Sequence, residues 1–85
     1  MKIDYSKDFL KKFSKCPNEI KIRFKERLGV FVANKFDSKL HNHRLSGKHK
    51  GYRSINVSGD YRAIFEEKVE EVIFVAIGTH SQLYK

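Results

Sequence analysis

The chain has 85 residues, 40% hydrophobic and 33% charged, with 18 basic against 10 acidic side chains and a formal net charge of +8. That length predicts one domain, residues 1–85, built round one core, and the balance excludes an intrinsically disordered chain. The lone Cys16 excludes an internal disulfide, no Cys/His set has zinc-finger spacing, and no apolar run approaches the roughly 20 residues of a membrane span.

Residues 2–5 alternate polar and apolar side chains and read as a short strand. The same stretch is too polar and mixed for a signal peptide, which makes the cytoplasm the expected location. Ser6 can cap a helix, with Asp8 in its first turn favoured by the helix dipole. Phe9, Leu10 and Phe13 follow as one apolar face. Cys16-Pro17 breaks that helix and starts a second over residues 17–34. There Ile20, Phe24, Leu28, Phe31 and Val32 recur at three- and four-residue steps, the spacing of one buried stripe. Residues 37–50 are polar, contain His41, His43, His49 and Gly47, and read as a loop around a short extended piece at Leu45.

The period then changes to two. Residues 51–57, 60–66 and 71–79 read as three strands. Ser58-Gly59 supplies the first turn, since glycine tolerates positive φ, and the acidic stretch 66–70 supplies the second. The run Val72-Ile73-Phe74-Val75-Ala76-Ile77 predicts an interior strand buried on both faces. The order implies an α+β fold, with a two-helix hairpin packed on one face of an antiparallel sheet. Charge is segregated as well: residues 38–62 carry Lys39, Arg44, Lys48, Lys50, Arg53 and Arg62 against the single acid Asp60, while Glu66, Glu67, Glu70 and Glu71 gather beyond them. One cationic face, suited to a polyanion or an acidic protein, is the expected result.

Three segments, in order, carry a resemblance. They are His43-Arg44-Leu45-Ser46-Gly47, the stretch Lys50-Gly51-Tyr52-Arg53 running on through Ser54 and Asn56 to Gly59-Asp60-Tyr61-Arg62, and Gly78-Thr79-His80-Ser81-Gln82-Leu83-Tyr84. Together they resemble toxins of the RelE/ParE superfamily, most closely the YafQ branch. The resemblance implies a helical hairpin on a twisted antiparallel sheet, entry into the ribosomal A site, metal-independent cleavage of messenger RNA without a cofactor, and neutralisation by a cognate antitoxin. It implies no membrane partner.

Metal-free RNA cleavage uses the substrate's own 2′-OH as nucleophile. It needs a base, an acid for the 5′ leaving oxygen, and cations for the charged phosphorane. His80 and His43 match the family histidines and are the candidates for proton transfer. Asp60 matches a family acid that can orient a histidine or act as base, although Asp beside Gly is also ordinary turn chemistry. Tyr84 matches a terminal aromatic that can stack on a base or close the core beside Leu83. Arg53 and Arg62, expected to meet on one face across the hairpin, suit phosphate oxygens. Arg62 paired with an acid is the alternative. Lys50 and Asn56 are further candidate RNA contacts. His41 and His49 match no family position.

Two positions depart from the branch. Ser54 and Asn56 stand where it often has an acid and a histidine, and neither carries protons near neutral pH. They keep open a basic RNA-binding module without catalysis, and the scaffold the resemblance implies also supports a ParE-like inhibitor of DNA gyrase.

Overall fold

A computed structural model describes residues 1–84. Strand β1 (Lys2–Tyr5) leads into helices α1 (Lys7–Ser14) and α2 (Asn18–Ala33). A polar segment then holds the two-residue strand β2 (His43–Arg44), flanked by short 3-10 turns at Ser38–Leu40 and Gly47–His49. Strands β3 (Arg53–Ser58), β4 (Tyr61–Lys68) and β5 (Glu71–Thr79) follow, and the one-turn helix α3 (His80–Leu83) ends the described chain. The sheet order is β1-β5-β4-β3-β2. The neighbours β2 to β5 pair antiparallel, while β1 runs parallel to β5 at the far edge.

The helices form where the sequence predicts them, for local reasons. The Ser6 hydroxyl accepts the Phe9 amide at 3.0 Å and so caps α1. Pro17 sits one position ahead of α2, as its cap residue. In α2, Ile20, Phe24 and Phe31 are buried against the sheet. Two residues expected in the stripes are not: Leu10 is 52% exposed and Val32 60%. Each follows a buried Phe directly, and one helical step turns a side chain about 100° away from its predecessor.

The core is aromatic. Phe9 lies within 6 Å, ring to ring, of Tyr5, Phe13, Phe24 and Phe74. Phe31 and Phe65 extend the cluster through Phe74. The β4–β5 pairing contains a bulge, for Ile64 opposes Ala76 while Phe65 opposes Phe74, leaving Val75 extra. The bulge resets the alternation, so that Val72, Phe74 and Ile77 all join the core under the helices. On the other face Ile73 and Ala76 are only half-buried. The expectation of an interior strand holds, but burial on both faces does not, because both long helices cover the same side.

Candidate active site

Strand alternation decides which residues reach the face that α1 and α2 leave uncovered. Ile55 opposes Ala63 and both enter the core, so Ser54 with its partner Ile64, and Asn56 with its partner Arg62, face the other way. His43 pairs with Ser54 across the β2–β3 ladder and therefore shares that second face. Arg62 also opposes Gly78 on β5, two residues before His80 opens α3. Four separate stretches of chain thus meet. His43, Arg62, His80 and Tyr84 line one shallow cavity of about 450 Å³. An adjoining cavity of about 600 Å³ is lined by His41, Asn42, Asn56 and again His43 and Arg62.

Each side chain is held by particular contacts. His43 Nδ1 lies 2.7 Å from the His41 carbonyl oxygen. A carbonyl only accepts, so Nδ1 carries the hydrogen, and in the neutral ring Nε2 is left with the lone pair. Asn42, between the two histidines, donates from Nδ2 to the Lys35 carbonyl at 2.9 Å and accepts from Arg53 Nε at 2.8 Å. Its amide thus ties the histidine segment to the end of α2 and to β3. Arg62 Nη1 donates to Asn56 Oδ1 and to the Gly59 carbonyl, both at 3.0 Å. Its Nε and Nη2 donate to no other described residue and remain available to an anion.

His80 is fixed through α3. Thr79 caps that turn and Gln82 answers with a reciprocal bond to the Thr79 amide, at 2.8 Å. The His80 amide donates to the Asp60 carbonyl at 3.1 Å. The Tyr84 ring packs 4.7 Å from the His80 ring and 5.4 Å from that of His49. His49 Nε2 in turn donates to the Leu83 carbonyl at 3.0 Å. His49 therefore has a contact that the sequence did not disclose: it pins the C-terminal turn to the loop before β3.

The structure corrects the placement expected for the arginines. Arg53 opposes Phe65 and Arg62 opposes Asn56, so the two lie on opposite faces of the sheet. Arg53 instead lies 5.6 Å over the Phe36 ring and holds Asn42. Lys50 and Arg53 line a separate cavity beyond β2. Arg62 pairs with an amide, not an acid. The Asp60 carboxylate lines none of these cavities, and what reaches His80 is the Asp60 backbone oxygen. Ser54 is fully buried beside His43, and its hydroxyl has no hydrogen-bond partner among the described residues. Among those residues, no three His, Cys, Asp or Glu side chains stand together as a metal site requires, and no helix is long and apolar enough to cross a membrane.

Two imidazoles and an uncommitted guanidinium edge at one open cavity have the makings of acid–base chemistry on a phosphodiester. A family model described as a bacterial toxin of type II toxin-antitoxin systems, YafQ, matches residues 1–85. No curated protein matches by sequence. Among solved structures, YafQ from E. coli strain BL21(DE3) superposes with a TM-score of 0.83 at 23% identity, covering 98% of this chain and 97% of that one. The toxin–antitoxin complex RelB-RelE from Methanococcus jannaschii gives 0.76 at 24% identity, covering 95% and 94%. The E. coli DinJ-YafQ toxin–antitoxin complex gives 0.80 at 24%, covering 98% and 96%. At these identities the superpositions establish the fold.

Proposed function

Because this chain belongs to the YafQ family of toxins from bacterial type II toxin-antitoxin systems, we propose that it is a metal-independent endoribonuclease that cuts messenger RNA on the ribosome, in the cytoplasm. The observation that carries the reading is the meeting of His43, His80 and Arg62 at one cavity. His43 Nε2 takes the proton of the 2′-OH as that oxygen attacks the adjacent phosphorus. His80 delivers a proton to the departing 5′ oxygen as its bond to phosphorus breaks. Arg62, through Nε and Nη2, stabilises the phosphorane oxygens, while Asn56 holds Nη1. The products are a 2′,3′-cyclic phosphate and a 5′-hydroxyl. Neither Ser54 nor Asn56 is asked to move a proton. Tyr84, packed on the His80 ring, sets its orientation.

The partner that silences the toxin is a cognate antitoxin with an acidic segment matched to the net charge of +8. Toxin–antitoxin complexes are known for E. coli DinJ-YafQ and M. jannaschii RelB-RelE.

The test uses purified chain and ribosomes programmed with a defined message. Cleavage should persist in EDTA and leave the cyclic-phosphate end. His80→Ala and His43→Ala should each lower the single-turnover rate by about a hundredfold or more, with circular dichroism and melting temperature unchanged. A folded His80→Ala protein that cuts at the parent rate removes His80 from the reaction. Inhibition of gyrase supercoiling without any RNA cleavage would replace this reading with the ParE-like one.

A further inference from the structure

Beyond the β2 edge lies a cavity of about 700 Å³, lined by Arg44, Lys50, Tyr52, Arg53 and Glu67 together with residues of the intervening loop. Its charge is cationic in effect, because its one acid, Glu67, is already paired with Lys35. Arg53 is committed to Asn42 and to the Phe36 ring. The side chains of Arg44 and Lys50 are exposed and bond no other described residue. Tyr52 is half-buried and lines the cavity. Gly47 and Gly51, at φ +65° and +97°, form part of the wall, and a Cβ at either would stand in open space. Two glycines without side chains and one aromatic residue thus line the same cavity, a combination suited to a flat heterocycle.

The slot is not isolated. Arg44, Leu45 and Ser46 line it and also line the cavity that holds His43 and His80. A polyanion crossing at Leu45-Ser46 stays in contact with both. We propose that the cavity beyond β2 is a second nucleotide subsite, in which the base next to the cut stacks on Tyr52 and its phosphate lies between Arg44 and Lys50. The proposal rests on the ribonuclease reading for the position of the cut, but its own content is a binding site. An acidic peptide would be drawn by the same cations. The aromatic residue, the two glycines and the continuity with the histidine cavity favour a nucleotide.

The test measures binding of fluorescent oligoribonucleotides to the full chain carrying His80→Ala, which keeps the RNA intact. A pentanucleotide should bind more tightly than a dinucleotide. Tyr52→Leu should weaken the pentanucleotide about tenfold, leave the dinucleotide unchanged, and be rescued by Tyr52→Phe. Arg44→Ala with Lys50→Ala should weaken the pentanucleotide and flatten its salt dependence by about two phosphate contacts. Both of those side chains are exposed, so this pair reports on the subsite even if Tyr52→Leu unfolds the chain. Pentanucleotide binding unchanged in the arginine–lysine pair overturns the proposal. So does pair-dependent binding of an oligoglutamate peptide with RNA binding intact, which assigns the cavity to an acidic partner. Failure of wild-type protein to cut ribosome-bound message overturns the ribonuclease reading instead, and leaves the length- and Tyr52-dependent binding as a separate result.

Discussion

Asn42 is the residue whose removal separates this structure from a generic cationic surface. Its amide makes two bonds to distant parts of the chain, one accepted from the charged Arg53 side chain and one donated to the Lys35 carbonyl. A neutral bond contributes about 1 kcal/mol and one to a charged group about 1.5–3 kcal/mol. Asn42 is only half-buried, so water can reach the deserted partners and the cost of Asn42→Ala falls to about 2 kcal/mol. For a chain of this size that lowers the melting temperature by about 10 °C. The functional effect follows from position, since His43 is the next residue and its Nδ1 is held by the residue before Asn42. Loss of the anchor should reduce the chemical step about ten- to a hundredfold, with little change in RNA affinity. Single-turnover cleavage beside equilibrium RNA binding separates the two. Arg53→Lys is the companion variant. If Arg53 bound phosphate, Lys would keep much of the affinity; as an anchor through Nε, Lys should fail nearly as Ala does. Asn42→Ala and Arg53→Ala should then couple by about 1 kcal/mol in a double-mutant cycle. Purely additive effects, or an Asn42→Ala protein that melts and cleaves like the parent, would refute the reasoning.

Three further outcomes are expected. Ser54→Ala should raise the melting temperature by a few degrees, because it deletes a buried hydroxyl without a partner, an omission worth about 1 kcal/mol; a loss of stability would show that the hydroxyl is satisfied in solution. Gly78→Ala would place a Cβ 2.8 Å from Gln82 Oε1, the atom that accepts the Thr79 amide; cleavage should fall several-fold while stability drops by about 1 kcal/mol, and parent-level cleavage would show that the Thr79–Gln82 cap does not position His80. Burial, aided by the Asp4 carboxylate, raises the Tyr5 phenol above its ordinary value of 10.0. The unfolded chain therefore ionises first, and the stability linked to the neutral phenol is whole below about pH 10 and lost above it; Tyr5→Phe should flatten that alkaline decline in urea titrations, and an unaltered slope would argue against the shift.

Much of the molecule was written in local spacing. The cap at Ser6, the stripe of Ile20, Phe24 and Phe31, the turn at Gly59 with φ +53° and the strand over residues 71–79 depend on neighbours a few positions away, so periodicity finds them. The histidines were legible as candidates because their motif spacing resembles a known family. Register was not legible. The expectation that Arg53 and Arg62 share a face failed because a strand residue's side depends on how its ladder is paired, and a shift of one position reverses it. Nor could the chain show that Val75 is extra in its ladder, that Asn42 joins Arg53 to Lys35, or that His49 reaches across 34 positions to Leu83. Composition and spacing determined a basic α+β chain with the right residue types. Only the tertiary structure decided which of them share a cavity, because that choice is made by contacts between segments far apart in sequence, which no local pattern encodes.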